Sequence, residues 1–123
     1  MRNVLKSLWN KMLGSSGEAV AVSYLKKQGY RIIDTNFRTD SGEIDVVAER
    51  NDVLVFVEVK ARTSSSAGYP EDAVTNAKIR KIESAVRVYL RYHGGVDRAY
   101  RIDIIAVEPI MGKLAVTRHI EGI

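Results

Sequence analysis

Residues 42–60 read GEIDVVAERNDVLVFVEVK. Apolar residues recur at the two-residue period of a strand on both sides of Asn51-Asp52, and both of those residues tolerate turn backbone. A two-residue turn there pairs Arg50 with Val53, Ala48 with Val55, Val46 with Val57 and Ile44 with Val59. The other face pairs Glu49 with Leu54, Val47 with Phe56, Asp45 with Glu58 and Glu43 with Lys60. A slip of one residue scrambles both faces, so the apolar pattern supports this register.

The register sets two carboxylates opposite each other, with Cβ atoms about 4.5–5.5 Å apart. Opposed like charges are unfavourable, more so beside Val47 and Phe56, where water is scarce. A divalent cation between Asp45 and Glu58 would compensate, and hard oxygen ligands suit Mg²⁺ or Mn²⁺. Lys60 faces the same way as Glu58, and its long stem can carry an ammonium to a water or a phosphate oxygen. Such a set fits phosphodiester hydrolysis: the metal polarises the phosphate, and the lysine steadies the developing negative charge. The competing reading is a buried ion-pair cluster in which Lys60 neutralises one carboxylate. The spacing D…E-x-K leaves both open, because it also arises by chance.

Outward from the hairpin, a helix is predicted from about Ser16 to Gln28, stopped by Gly29. Ala21, Val22 and Leu25 form its inward stripe, and Glu18 falls on the same stripe. Ser15-x-x-Glu18 also fits a capping box, so Glu18 is open to two roles. RIIDTNFR (31–38) reads as a strand and TDSG (39–42) as a turn. ARTSSSAGYP (61–70) reads as a loop able to order on substrate. A single long helix is expected from Pro70 or Glu71 to Tyr92, with Val74, Ala77, Ile82, Ala85, Val86 and Tyr89 inward. Lys78 lies within that stripe. It either snorkels outward or reaches a phosphate or an acid. Strands follow at 100–108 and 113–120. The order α-β-β-β-α-β-β predicts a mixed sheet with helices packed on it.

The 123 residues fit one domain, taken as residues 15–123, and 46% hydrophobic content supplies a core. Residues 1–14 read as an amphipathic arm carrying Val4, Leu5, Leu8, Trp9 and Met12. With no cysteine, the chain has no disulfide framework, thiolate metal site or cysteine nucleophile. The net charge of +4 allows an acidic partner such as nucleic acid without requiring one. No apolar run is long enough for a membrane span, and Lys6, Asn10 and Lys11 break the N-terminal apolar stretch, so a soluble, cytoplasmic protein is expected. His93 and His119 form no metal-binding spacing and are expected at the surface.

Asp45 followed by Glu58-Val59-Lys60 resembles the PD-(D/E)xK nuclease motif. The longer pattern is more specific: Gly17-Glu18, Asn36-Phe37-Arg38, Gly42-Glu43-Ile44-Asp45, Phe56 to Arg62, Gly68-Tyr69-Pro70 and Lys78. Over nearly all of residues 15–108 it resembles the YraN-like family of small bacterial proteins, regarded as distant relatives of archaeal Holliday-junction resolvases. The proline of the motif's name is absent, since Ile44 precedes Asp45. The resemblance implies a restriction-endonuclease-like α/β fold and an endonuclease acting on DNA, with branched or damaged DNA among the candidates. It implies metal binding by Asp45, Glu58 and Glu18, and a catalytic Lys60. Lys78, Arg62 and Arg38 are the nucleic-acid-binding candidates, with Arg80, Lys81, Arg87 and Arg91 weaker ones. A homodimer is consistent with the resolvases but has no signal in this chain. RNA is a second substrate class, because the motif reads phosphate rather than sugar. The alternative function is a nucleic-acid-binding or adaptor module that keeps the fold and does not cleave.

Overall fold

A computed structural model describes residues 16–62 and 68–123. The N-terminal arm, Ser15 of the capping box and residues 63–67 of the loop lie outside the described residues. Helix α1 spans 16–27. Strands β1 (Arg31–Arg38), β2 (Glu43–Arg50) and β3 (Val53–Ala61) follow. A 3₁₀ turn at Pro70–Ala73 precedes helix α2 (Asn76–Tyr92), and β4 (Tyr100–Ile110) and β5 (Lys113–Ile120) close the order. The fold is α/β in the expected order α-β-β-β-α-β-β.

The five strands form one sheet in the order β1-β2-β3-β4-β5. Only β3 and β4 are parallel, and α2 makes the crossover between them, as parallel neighbours require. The turn at Asn51 (φ 53°) and Asp52 (φ 65°) has the paired positive φ of a tight hairpin. It fixes Arg50 opposite Val53, Glu49 opposite Leu54, Ala48 opposite Val55, Val47 opposite Phe56 and Val46 opposite Val57, as the sequence predicts.

The two faces of the sheet carry separate cores. On one, α1 supplies Ala21 and Leu25 to Val46, Ala48, Val55, Val57, Ile105 and Val107. On the other, α2 supplies Ile82, Ala85, Val86, Tyr89 and Leu90 to Ile44, Val47, Leu54, Phe56 and Ile102. The alternation along β2 and β3 thus feeds both layers. Two close approaches depend on glycine. A Cβ on Gly17 would lie 2.8 Å from Ala61 Cβ, and one on Gly42 would lie 2.3 Å from the Lys81 carbonyl oxygen. The first lets the start of α1 press on the end of β3. The second lets the β1–β2 turn press on α2.

Three expectations need correction. The rungs between β2 and β3 stop at Val46–Val57, so Asp45–Glu58, Ile44–Val59 and Glu43–Lys60 are not ladder pairs. Ile44 instead pairs with Phe37 of β1 and sits in the α2 core rather than with Val46. The cause is local: Asp45 Oδ2 accepts the Val59 N–H at 2.8 Å, so a side chain replaces a backbone acceptor and β2 parts from β3. Asn36, beside this point on β1, has a φ of 54°, which Asn tolerates better than most residues. Second, the expected helix from Pro70 to Tyr92 is broken. Val74 is extended, and Thr75 caps α2 by accepting the Lys78 N–H at 3.2 Å. Val74 is half-buried and Ala77 exposed, so the inward stripe starts later than predicted. Third, His119 is not a surface residue. Its Nε2 lies 2.7 Å from Oδ2 of the fully buried Asp103, and its Nδ1 lies 2.9 Å from the Tyr24 hydroxyl.

Candidate active site

The parting of β2 and β3 is where the acidic residues gather. Glu58, with only 3% of its surface exposed, points from β3 toward α2. Its Oε1 lies 3.6 Å from Lys60 Nζ and 3.7 Å from Lys78 Nζ. The two lysines arrive from different elements, Lys60 two residues along the same strand and Lys78 from the first turns of α2. Of the two readings of Lys78, the structure bears out contact with an acid. The second oxygen of Glu58, Oε2, is buried with no hydrogen-bond partner. A buried carboxylate oxygen left unpaired costs free energy, so its presence asks for a reason.

Electrostatics give the same picture. Burial pushes the Glu58 carboxyl up first, the neighbouring Asp45 charge pushes it further, and Lys78 and Lys60 pull it back only in part, leaving it at about 7. Asp45 is also raised, first by burial, and Glu43 adds to this while the Val59 N–H and Lys78 oppose it. Glu18 is raised by burial and by the Asp45 charge. All three carboxyls therefore resist ionisation together, as expected where negative charges share a poorly hydrated site.

Glu18 enters from α1 through the close contact of Gly17 with β3. Its Oε1 accepts a 2.7 Å hydrogen bond from Asn36 Nδ2. Among the described residues no three carboxylate or histidine side chains converge as a ready metal cage. Asp45 and Glu58 form the inner pair, and Glu18 stands beside them held by Asn36. The donor set of carboxylate oxygens, with one oxygen unpartnered, fits a hard divalent cation.

The remaining candidates spread outward. Arg38, at the end of β1, is largely exposed and lies 3.7 Å from Glu43. Arg62, just beyond β3, donates its backbone N–H to the Val107 carbonyl oxygen at 3.0 Å. Arg80, Lys81, Arg87 and Arg91 are exposed on α2. Gly68-Tyr69-Pro70 lies beside β5, where Arg118 sits over the Tyr69 ring at 4.4 Å and bonds Glu71. Two features escaped the sequence reading. Asn36 holds Glu18, and its positive φ was not signalled by composition. The Asp103–His119–Tyr24 chain, extended by Arg101 at 3.0 Å from Asp103, joins α1, β4 and β5. Its only sequence cue was a lone acid within the apolar run RIDIIAV.

A sequence model for a known family matches residues 17–107, the span that contains every acidic and lysine candidate above. Relatives match over most of their length. One from Renibacterium salmoninarum is 41% identical over 111 residues, covering 90% of this chain and 94% of its own. One from Geobacter metallireducens is 44% identical over 114 residues, covering 93% of each. One from Geobacter sulfurreducens is 47% identical over 98 residues, covering 80% of this chain and 77% of its own. Each carries the same family designation. The chain belongs to the uncharacterised protein family UPF0102, in agreement with the resemblance read from its motifs.

Proposed function

We propose that the protein is a metal-dependent nuclease that hydrolyses phosphodiester bonds in nucleic acid, with DNA the preferred substrate. The observation that carries this reading is Glu58: one carboxylate oxygen held by two ammoniums, the other buried without a partner, and Asp45 alongside. A buried carboxylate oxygen without a partner is uncommon in a purely structural ion pair. Asp45 and Glu58 would hold Mg²⁺ or Mn²⁺, with Glu18 completing the acidic rim. Such a cation, when bound, would supply Lewis acidity and offset the charge that builds on the phosphate.

The chain's own groups do the rest. Lys60 and Lys78 are each about one-third exposed, so their ammoniums reach both Glu58 and the solvent side of the site. An ammonium there donates hydrogen bonds to a non-bridging phosphate oxygen, favouring the more charged transition state over the ground state. Lys60, on a rigid strand, is the better placed to hold the attacking water. The Val59 N–H fixes the rotamer of Asp45, and Asn36 that of Glu18, so the acids are oriented before substrate arrives.

One observation favours a binding module without cleavage. Asp45 Oδ2 already has a backbone donor and Glu58 Oε1 already has two cations, so much of the cluster is satisfied without metal. Cleavage assays on duplex, nicked and branched DNA with Mg²⁺ or Mn²⁺ separate the two. The nuclease reading predicts cleavage that Asp45→Asn, Glu58→Gln and Lys60→Ala each abolish. Equal residual cleavage in wild type and all three variants would assign the activity to a contaminant and remove the proposal.

A further inference from the structure

Two clefts share Arg38 in their walls, and each carries acidic residues as well. The first, about 630 Å³, runs between α1 and β1 and is walled by Glu18, Ser23, Lys26, Asn36 and Arg38. The second, about 340 Å³, runs between the β1–β2 turn and α2 and includes Arg38, Asp40, Gly42, Glu43, Lys78 and Lys81. Each cleft is thus lined both by members of the acidic and lysine cluster and by a further lysine, Lys26 in the first and Lys81 in the second. Among the described residues, neither Lys26 nor Lys81 has an ion-pair partner, and Arg38 has only the 3.7 Å contact with Glu43. Among the described residues, no aromatic one lines either cleft.

We propose that the two clefts form one continuous track for a nucleic-acid backbone, in which Lys26 and Arg38 hold phosphates on one side of the acids and Lys81 holds one on the other. The inference rests on the nuclease reading for the role of the central phosphate, and it adds the substrate's path and the basis of its recognition. Exposed cations along a groove, here two without an ion-pair partner among the described residues and Arg38 with one loose contact, bind phosphate by charge and release counterions. Base readout requires side chains aimed at base edges, and unpaired bases are held by aromatic stacking. With charged and no aromatic side chains among the described walls, the proposed grip works through phosphate charge, is blind to sequence and suits a paired backbone better than a loose single strand.

The test is fluorescence anisotropy with two labelled 20-base-pair duplexes of unrelated sequence, titrated without metal from 50 to 200 mM salt. The full chain is compared with K26A/R38A/K81A and with K27A/R50A/K113A, which removes the same charge from exposed positions outside the clefts. Each lost phosphate contact should lower the slope of log K against log salt by about 0.9. The cleft triple variant should lose roughly three such contacts on both duplexes, and the control triple variant fewer than one. Equal slopes in the two triple variants would overturn the track, as would an absence of duplex binding by the wild type. Circular dichroism of both variants checks that each is folded. Binding with the predicted slope but no cleavage would sink the hydrolysis reading and leave the track standing. Cleavage with slopes unchanged in the cleft variant would do the reverse.

Discussion

Lys78 of α2 reaches Glu58 of β3, Nζ to Oε1 3.7 Å, so a helix on one face of the sheet favours ionisation of an acid at the opening between two strands. Of the two lysines, Lys78 does more to hold Glu58 ionised. Lys78→Met should therefore push the Glu58 carboxyl higher than Lys60→Met does. Carbon-13 NMR titration of labelled glutamate reads this without any activity. A larger upward shift in the Lys60 variant would contradict the assignment.

The Glu58 carboxyl has an ordinary value of 4.5 and stands at about 7 in the fold, so the folded chain binds its proton more tightly than the unfolded chain. Stability attributable to this group therefore falls as pH rises from 4.5 through 7. Glu58→Gln mimics the protonated form. It should raise the melting temperature at pH 8 and change it little at pH 5, while ending cleavage. A variant less stable than wild type at pH 8 would show that the ionised form is the one the fold favours.

Ligands bind a metal in their deprotonated form. Cation affinity should therefore increase as pH rises from 6 to 8, as Glu58 loses its proton, and level off above that. Isothermal titration with Mn²⁺ across this range measures it, and affinity that declines over the interval would contradict the role of Glu58.

Gly17 allows α1 to meet β3. Gly17→Ala places a methyl group 2.8 Å from Ala61 Cβ and should cost roughly 1–3 kcal/mol, as overpacking does. Because the contact is with one side chain, Gly17→Ala/Ala61→Gly should recover much of the loss in urea denaturation. Additive losses in the double variant would mean that the clash is not the cause.

Asp103 is buried under α1. Burial alone would raise its carboxyl, but hydrogen bonds from His119, Arg101 and the Gly122 N–H hold it below the ordinary 3.8. Its contribution is thus present above pH 3.8 and lost as acid protonates it. Asp103→Ala leaves Arg101 and His119 without their shared partner and should cost roughly 3–5 kcal/mol at pH 7. A loss below about 1 kcal/mol would show that the network is dispensable.

The hairpin was legible because period, turn residues and register agree: Asn51-Asp52 and the alternating valines admit one pairing down to Val46–Val57. The site beyond was legible only in composition. The sequence places Asp45 and Glu58 near each other, but the hydrogen bond from Val59 that parts the strands and moves Ile44 to the other core is a tertiary event. Lys78 was visible as a misfit in an apolar stripe. The break at Val74 was missed because helical periodicity runs through it, although Thr75 carried the cap that starts α2. His119 was missed because its partner, Asp103, lies 16 residues away on a neighbouring strand.

The central claim is that Asp45 and Glu58 together hold a divalent cation for phosphodiester chemistry. Isothermal titration of Mn²⁺ into the wild type and into Asp45→Asn/Glu58→Gln, each saturated with duplex DNA so that substrate phosphate is present, tests it most directly. The account predicts a saturable heat in the wild type that is lost in the double variant. The same heat in both, or none in either at millimolar Mn²⁺, would contradict it and leave the cluster as a set of ion pairs joining α2 to the sheet.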